Sequence, residues 1–265
     1  MSSAGRMPLA SSFDPARTLV LATRNEHKVH ELRQILGEVV DELGLTIIGA
    51  GQLSGAPDVA ETEVTFEGNA RLKAVALAEA TGLPSVADDS GLAVEVLGGS
   101  PGVFSARWSG RFGGGDSAAR GDRDRANLEL LLDQVADVPP AHRQAAFVCA
   151  AVLAMPSGDV DVVTGRVTGA LAYEPMGTNG FGYDPVFVPD GGSRSLAQYT
   201  VVEKNAISHR GRAFRAMVPP RPPRGADGVR LTGGVLTALP ALSRTADPTE
   251  PPVTGSAAAA ASEAA

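Results

Sequence analysis

Two adjacent aspartates, Asp88 and Asp89, stand inside an otherwise apolar stretch and are followed directly by Ser90 and Gly91. Residues 85–87 are typical of a short buried strand, so we expect both carboxylates at the end of that strand. Neighbouring carboxylates repel each other and favour water, so a buried pair needs a counter-charge. A divalent cation together with a phosphate ester would supply it. The alternative is a solvated turn, because Asp, Ser and Gly are common turn residues.

The composition limits the classes of protein to consider. The chain has 265 residues, 43% of them hydrophobic, which is enough for a sizeable core. A net charge of −7 argues against broad attraction to nucleic acid, so cations at a phosphate site must be local. The single cysteine, Cys149, excludes an intrachain disulfide, and its apolar neighbours favour a buried core position. Neither a membrane-spanning run nor a secretory leader pattern is present, so we expect a cytoplasmic protein.

Both ends of the chain differ in composition from its middle. Residues 1–16 are small and polar without periodicity, and residues 218–265 are rich in proline and alanine. We therefore expect a disordered N-terminal extension and a mostly disordered tail, with a short ordered piece around residues 229–239. The folded domain should span residues 17–217.

Within this domain, apolar strands alternate with helical patterns, and a hairpin follows in the middle of the chain. The predicted helices cover residues 26–36, 65–81, 122–135 and 203–217. The predicted strands cover residues 18–23, 45–48, 85–87, 145–154, 160–172 and 185–188. This order predicts an α/β protein with a mixed twisted sheet, flanking helices and two lobes around a central active-site cleft.

Two segments carry groups suited to a phosphate. Residues 23–28 join the first strand to the first helix, where backbone N–H groups and Lys28 would attract an anion. A helix that is merely capped would have the same residues there. Asn69 and Lys73 are four residues apart on the second predicted helix and so share a face, although Lys73 could equally be a surface lysine.

Two further segments carry groups suited to a purine. Residues 177–185 place Phe181 and Tyr183 between glycines, where a ring offers a flat face to a base, unless both rings fill the core. Residues 203–212 supply hydrogen-bond donors for carbonyl oxygens or phosphates within about two helical turns, although each donor alone would be an ordinary surface residue. These donors are Lys204, His209 and Arg210.

Six ordered segments carry a resemblance to a known family. They are residues 23–28, 66–73, 87–92, 101–107, 178–185 and 203–212. Over residues 18–217 the chain resembles the noncanonical purine nucleoside triphosphate pyrophosphatases, the inosine/xanthosine triphosphate pyrophosphatase or dITPase family. The resemblance implies a two-lobed α/β fold and a homodimer that uses Mg²⁺. It also implies cleavage of ITP, dITP and XTP at the α-phosphorus to monophosphate and pyrophosphate, which clears deaminated purines from the nucleotide pool.

The resemblance also implies roles for individual residues. Asp89 would be the catalytic base and, together with Asp88, the metal site. The substrate would be bound by Thr23, Arg24, Asn25, Glu26, His27, Lys28, Asn69, Lys73, Ser90, Phe181, Gly182, Tyr183, Asp184, Lys204, His209 and Arg210. The candidates for a second metal carboxylate are Glu61, Glu63 and Glu67.

The hydrogen-bond donors Lys204, His209 and Arg210 have a consequence for base selection. Deamination of adenine replaces a 6-amino donor by a 6-oxo acceptor, so buried donors in the site would favour the deaminated base. Guanine also carries a 6-oxo group, so its rejection must depend on another feature, such as the 2-position. Two other functions remain open: a pyrophosphatase for modified pyrimidine nucleotides, and a nucleotide-binding module without catalysis. Nucleic-acid binding by the arginine-containing tail is disfavoured by that tail's balanced charge.

Overall fold

The computed structural model describes residues 13–14, 17–24, 26–113 and 119–217, without the side chains of residues 26, 27, 38, 39 and 43. The helices in these ranges are α1 (Glu26–Leu43), α2 (Phe66–Thr81), α3 (Arg120–Gln134), α4 (Val201–Ile207) and α5 (His209–Ala216). The strands are β1 (Thr18–Leu21), β2 (Thr46–Gly49), β3 (Ser85–Val94), β4 (Gln144–Ala154), β5 (Val160–Leu171) and β6 (Phe187–Pro189). Apart from Phe13 and Asp14, the terminal segments predicted to be disordered lie outside the described residues.

The six strands form one mixed sheet in the order β2-β1-β3-β4-β5-β6. Strand β1 is parallel to both β2 and β3, whereas the pairs β3–β4, β4–β5 and β5–β6 are antiparallel. Helices α1 and α2 connect the parallel strands, and a turn connects β4 to β5. The sheet and its flanking helices confirm the predicted α/β fold. Within the described ranges, each helix is too short or too polar to span a bilayer.

The long central strands carry two sets of apolar cores. At one end, Val86 packs with α1 and α5 on one face of the sheet, while Ala87 packs with α2 on the other. At the other end, Leu92 packs with Leu131 of α3 and with Phe187 of β6. The polar residues 88–90 lie on β3 between these cores, so the predicted two lobes meet at the acidic pair.

Strand β3 is longer than the sequence pattern predicts, and the placement of the acidic pair at a strand end is wrong. The polar residues interrupt the apolar pattern, but pairing with β4 continues through them, from Asp88 opposite Ala151 to Val94 opposite Ala145. The ladder therefore satisfies the backbone of the polar residues. Because successive side chains in a strand point to opposite faces, Asp88 and Asp89 are directed away from each other.

The helix predicted over residues 203–217 is two helices separated by Ser208. Ser208 has an extended backbone with ψ of 152°, and its hydroxyl accepts a hydrogen bond from the Gly211 N–H at 3.0 Å. Ser208 thus ends α4 and caps α5. The break places His209 and Arg210 in the first turn of α5. Helix α1 is also longer than predicted, because Val40 continues the packing of Leu36 on the same core.

Helix α5 lies close against β5 at Gly165. A Cβ atom at Gly165 would overlap the carbonyl oxygen of His209 and the backbone nitrogen of Ala213. A residue without a side chain is therefore required for the helix to pack at this depth, and that depth sets the position of His209 and Arg210.

We expect Gly165→Ala to lower the free energy of unfolding by about 2 kcal/mol, because overpacking forces the helix away from the sheet. Gly37→Ala is the matched control, since Gly37 lies within α1 and no described atom lies within 4 Å of a Cβ placed there. Gly37→Ala should be neutral or stabilise the protein by up to about 1 kcal/mol. Urea denaturation followed by circular dichroism measures both effects, and equal stability of the two variants would contradict the packing argument.

Candidate active site

A cavity of about 170 Å³ lies where the two lobes meet, and residues 89–91 of β3 form part of its wall. Ten of the predicted site residues line it: Lys28, Asp89, Ser90, Phe181, Gly182, Tyr183, Asp184, Lys204, His209 and Arg210. Thr23, Arg24 and Lys73 line a smaller cavity of about 80 Å³. Because the ammonium of Lys73 contacts Glu61 and Asp89 of the larger cavity, the two cavities adjoin at this side chain.

Asp88 is buried, with 4% of its surface exposed, and is held between two cations. Lys28 Nζ lies 3.2 Å from both carboxylate oxygens, and Arg210 Nε donates to Oδ2 at 3.1 Å. Burial alone would raise the pKa of Asp88, but the charges of Lys28 and Arg210 outweigh it and hold that pKa well below its ordinary value. Asp88 is therefore ionised, and its charge is used to hold these two side chains.

Arg210 connects α5 to both α1 and β3. Besides its bond to Asp88, it donates from Nη1 to Glu31 Oε2 at 2.8 Å and from Nη2 to Ser90 Oγ at 3.0 Å. The guanidinium is buried, and although burial lowers the pKa of Arg210, the carboxylates of Asp88 and Glu31 raise it above its ordinary value. Arg210 thus anchors the first turn of α5, and its role in contacting the purine stays a prediction.

Asp89 faces α2 and a different set of partners. Asn69 Nδ2 donates to Asp89 Oδ2 at 3.1 Å, and Lys73 Nζ lies 3.8 Å from Oδ1. Burial raises the pKa of Asp89; Lys73 opposes this effect, while the negative charge of Glu61 adds to it. The net result is a pKa above the ordinary value. The two adjacent aspartates therefore differ in proton affinity because their environments differ.

Asn69 and Lys73 fix the position of Asp89. Asn69 is fully buried and accepts the backbone N–H of Glu63 at 2.9 Å while donating to Asp89, which explains an asparagine inside a helix. Lys73 Nζ donates to Glu61 Oε1 and to the carbonyl oxygen of Asp88, both at 2.8 Å. Burial would lower the pKa of Lys73, but Asp89, Asp88 and Glu61 together raise it. Lys73 is therefore a cation at the cavity wall.

The geometry favours Glu61 over Asp88 as the carboxylate that shares the cavity with Asp89. Both Glu61 and Asp89 line the cavity and contact Lys73, whereas Asp88 does not line it and is paired with Lys28 and Arg210. Glu63 contributes its backbone to Asn69, and Glu67 borders a separate surface cavity. In the described part of the chain, groups of three or more metal-binding side chains are absent. Two carboxylates with space for water suit Mg²⁺, which usually keeps several water ligands.

The loop that carries Phe181 is shaped by Asp184. The buried carboxylate of Asp184 accepts the Phe181 N–H at 2.8 Å and the ammonium of Lys204 at 2.5 Å. Gly180 has φ of +77°, and a Cβ there would overlap the Asp184 carboxylate, so glycine is required. Phe181 is 46% exposed, and Lys204 Nζ lies 4.9 Å from the centroid of its ring. An exposed ring beside a fixed cation is suited to a heteroaromatic base.

Tyr183 and His209 are both buried at the cavity but differ in their contacts. Tyr183 donates its hydroxyl to the Ser105 carbonyl at 2.9 Å and packs in the core, so of the two loop aromatics Phe181 is the one presented to a ligand. His209 stacks on Phe147, with ring centroids 4.8 Å apart. Burial and the nearby Arg210 lower the pKa of His209 well below its ordinary value. Its buried Nδ1 has no hydrogen-bond partner in the described part of the chain, so a neutral imidazole with one unsatisfied nitrogen lies at the cavity wall.

Some predicted site residues do not line the larger cavity, and some residues that line it were not predicted. Asn25 and the side chains of Glu26 and His27 lie outside the described residues, and Arg24 donates to the Ala56 carbonyl at 2.9 Å. The charged residues of the cavity that the sequence interpretation missed are Glu31, Arg120 and Asp124. Helical spacing could have indicated them, since Glu31 is three residues after Lys28, and Arg120 and Asp124 are four apart.

A mixed α/β sheet here carries a carboxylate and lysine cluster and an exposed aromatic loop, an arrangement suited to a phosphorylated heteroaromatic ligand. The chain belongs to the Ham1 family, whose model matches residues 19–219. It is 58% identical over 203 residues to a dITP/XTP pyrophosphatase of Streptomyces avermitilis, and the match covers 76% of this chain and 95% of the relative. It is 52% identical over 201 residues to a dITP/XTP pyrophosphatase of Mycobacterium tuberculosis, and that match covers 76% of this chain and 93% of the relative.

Solved structures agree with the fold. The Staphylococcus aureus Ham1 protein has a TM-score of 0.65 and 35% identity, covering 76% of this chain and 96% of that one. A Mycobacterium abscessus protein, described as a nucleoside-triphosphatase and dITP/XTP pyrophosphatase, has a TM-score of 0.61 and 46% identity, covering 76% and 98%.

We expect Asp88→Asn to lower the free energy of unfolding by about 3 kcal/mol at pH 7, because Lys28 and Arg210 lose their buried counter-charge. The pKa of Asp88 is lower in the folded protein than in the unfolded chain, so its contribution is complete above the unfolded value of about 4. The difference in free energy of unfolding between wild type and variant should therefore become smaller as the pH falls below about 4. Urea denaturation in metal-free buffer from pH 7 to pH 3.5 measures it.

Asp161→Asn on β5 is the control, because Asp161 is exposed. It should change the stability by less than about 0.5 kcal/mol. A loss for Asp88→Asn no larger than that of the control would contradict the assignment of Asp88 as the central buried charge.

Proposed function

We propose that this protein hydrolyses the noncanonical purine nucleoside triphosphates ITP, dITP and XTP at the α-phosphorus, releasing monophosphate and pyrophosphate. The observation that carries the proposal is that one cavity is lined both by Asp89 and Glu61, which contact Lys73, and by the Phe181 loop. Relatives named dITP/XTP pyrophosphatases, which match about three-quarters of the chain, support the same activity.

At the phosphate end, cations would neutralise a strongly anionic substrate. Lys28 and Lys73 lie on helices from opposite sides of β3, and each is already held by a carboxylate. When Mg²⁺ is bound, with Asp89 and Glu61 as its protein ligands, it would supply further positive charge to the triphosphate. Such fixed charges lower the barrier because they require little reorganisation during the reaction.

Asp89 would act as the general base. It lies at the cavity wall with its orientation fixed by Asn69, so it can accept a proton from a water molecule beside the α-phosphorus. The water oxygen forms a bond to the α-phosphorus, the bond to the bridging oxygen breaks, and pyrophosphate leaves with that electron pair.

At the base end, Lys204 and the neutral His209 would provide hydrogen-bond donors for a 6-oxo group. Lys204 is fixed by Asp184 beside the Phe181 ring, and His209 is buried with an unpaired ring nitrogen. Adenine would present its 6-amino group to these donors and leave buried groups unpaired, which is costly. The site would therefore favour deaminated purines over ATP.

The substrate class is tested by a panel of ITP, XTP, ATP, dUTP and dTTP with and without Mg²⁺, with pyrophosphate and orthophosphate measured separately. Pyrophosphate release from ITP and XTP alone is the expected result. Release from dUTP or dTTP would favour a pyrimidine pyrophosphatase, and no release from any substrate would favour a silent binding module. The Mg²⁺ requirement, the homodimer and the cytoplasmic location stay predictions.

We expect Asp89→Asn to lower kcat for ITP by about 10²–10⁴-fold, because the variant cannot accept the proton of the attacking water. Pyrophosphate release under saturating ITP measures kcat, and circular dichroism verifies the fold. Asp161→Asn is again the control and should retain wild-type turnover. More than about a tenth of the wild-type kcat in Asp89→Asn would rule out the general-base role.

We expect Lys204→Gln to reduce the ratio of kcat/KM for ITP to that for ATP by at least about tenfold. Glutamine can still donate to Asp184, but its amide oxygen can also accept the 6-amino group of adenine. Arg194→Gln is the control, because Arg194 pairs with the exposed Glu203 outside the cavity. An unchanged ratio in Lys204→Gln would remove Lys204 from base selection.

A further inference from the structure

A second cation borders the Phe181 ring and is not part of the residue set implied by the resemblance. Arg120 is the first residue of α3 and lines the same cavity, with 54% of its side chain exposed. Its guanidinium carbon lies 5.4 Å from the centroid of Phe181. A planar guanidinium at this distance contacts the ring face through a cation–π interaction.

Asp124 holds this arrangement together. Its carboxylate lies 3.9 Å from Arg120 Nε, one helical turn along α3; burial raises the pKa of Asp124, while Arg120 and the nearby backbone N–H of Gly182 lower it. Helix α3 is thus tied to the loop that presents Phe181. The ring is consequently bordered by two cations from different elements, Arg120 from α3 and Lys204 from α4, and each cation has its own carboxylate partner.

We propose that Arg120 contacts the 2-position of the purine and sets the preference for XTP and against GTP. The proposal rests on the function proposed above. The donors assigned to the 6-oxo group, Lys204 and His209, come from α4 and α5. Arg120 approaches the same ring from α3, so it is the cation available for the remaining part of the base edge.

The chemistry of the 2-position discriminates three bases that share a 6-oxo group. Xanthine has a 2-oxo acceptor, hypoxanthine has a hydrogen, and guanine has a 2-amino donor. A guanidinium carries only donors, so it bonds to the 2-oxo group and confronts the 2-amino group without an acceptor. The second oxo group also makes the xanthine ring more acidic, and a nearby cation stabilises the resulting negative charge.

Substitutions at position 120 distinguish the effects of charge and of hydrogen-bond donors from the effect of side-chain size. Arg120→Gln supplies an amide oxygen that can accept the 2-amino group of guanine, whereas Arg120→Lys keeps a cation with donors only. Arg125→Gln is the matched control, because Arg125 lies on the same helix, is exposed and pairs with Glu129 outside the cavity.

Two measurements give the outcome. The first is kcat/KM for XTP, ITP and GTP, and the second is the Kd of XMP, IMP and GMP by calorimetry, which needs no catalysis. For Arg120→Gln we expect the XTP-to-ITP ratio to fall about tenfold and the GTP-to-ITP ratio to rise at least about threefold. The Kd ratios of the monophosphates should change in the same direction. Arg120→Lys should retain most of the XTP preference, and Arg125→Gln should match wild type.

An equal loss for all three bases in Arg120→Gln, or unchanged ratios, would overturn the proposal. Failure of the proposed function has a different signature, because wild-type protein would then release no pyrophosphate from any of the triphosphates. In that case the monophosphate affinities still report whether Arg120 discriminates the base.

Discussion

The antiparallel pairing of β3 with β4 through a polar segment is the constraint on which the site depends. The ladder continues across residues 88–90, so the alternation of a strand directs Asp88 and Asp89 to opposite faces of the sheet. Asp88 meets Lys28 and Arg210, and Asp89 meets Asn69 and Lys73. One carboxylate is thereby committed to holding helices against the sheet. The other faces the cavity with a raised pKa, and the difference arises from strand geometry.

Features that depend on local chemistry could be predicted from the sequence. Helix α2 begins after Thr65, whose side chain accepts the Gly68 N–H, and ends at Gly82 in the left-handed conformation, and both residues are recognisable as helix boundaries. The spacing of Asn69 and Lys73 placed both on one face of that helix, and both side chains contact Asp89. In each case the informative residues are close in sequence.

Features that depend on distant pairing could not be predicted in the same way. The length of β3 is set by backbone partners on β4, about sixty residues later, so its polar residues alone suggested a strand end. The choice among Glu61, Glu63 and Glu67 required the position of Lys73 relative to Asp89. The contact between α3 and the Phe181 loop passes through a backbone N–H, that of Gly182, which leaves no trace in residue type.

The cavity also explains how a chain with a net charge of −7 can bind an anion. Each cation that lines it is paired with a carboxylate: Lys28 and Arg210 with Asp88, Lys204 with Asp184 and Arg120 with Asp124. Lys73, which contacts the cavity's carboxylates from the adjoining cavity, is paired with Glu61. The acidic partners reduce the net positive field, but they hold the cations in defined positions before a ligand arrives. A nucleotide then gains from preorganised charges rather than from an excess of positive charge. Recognition of the phosphates and of the base would therefore follow one physical rule at both ends of the cavity.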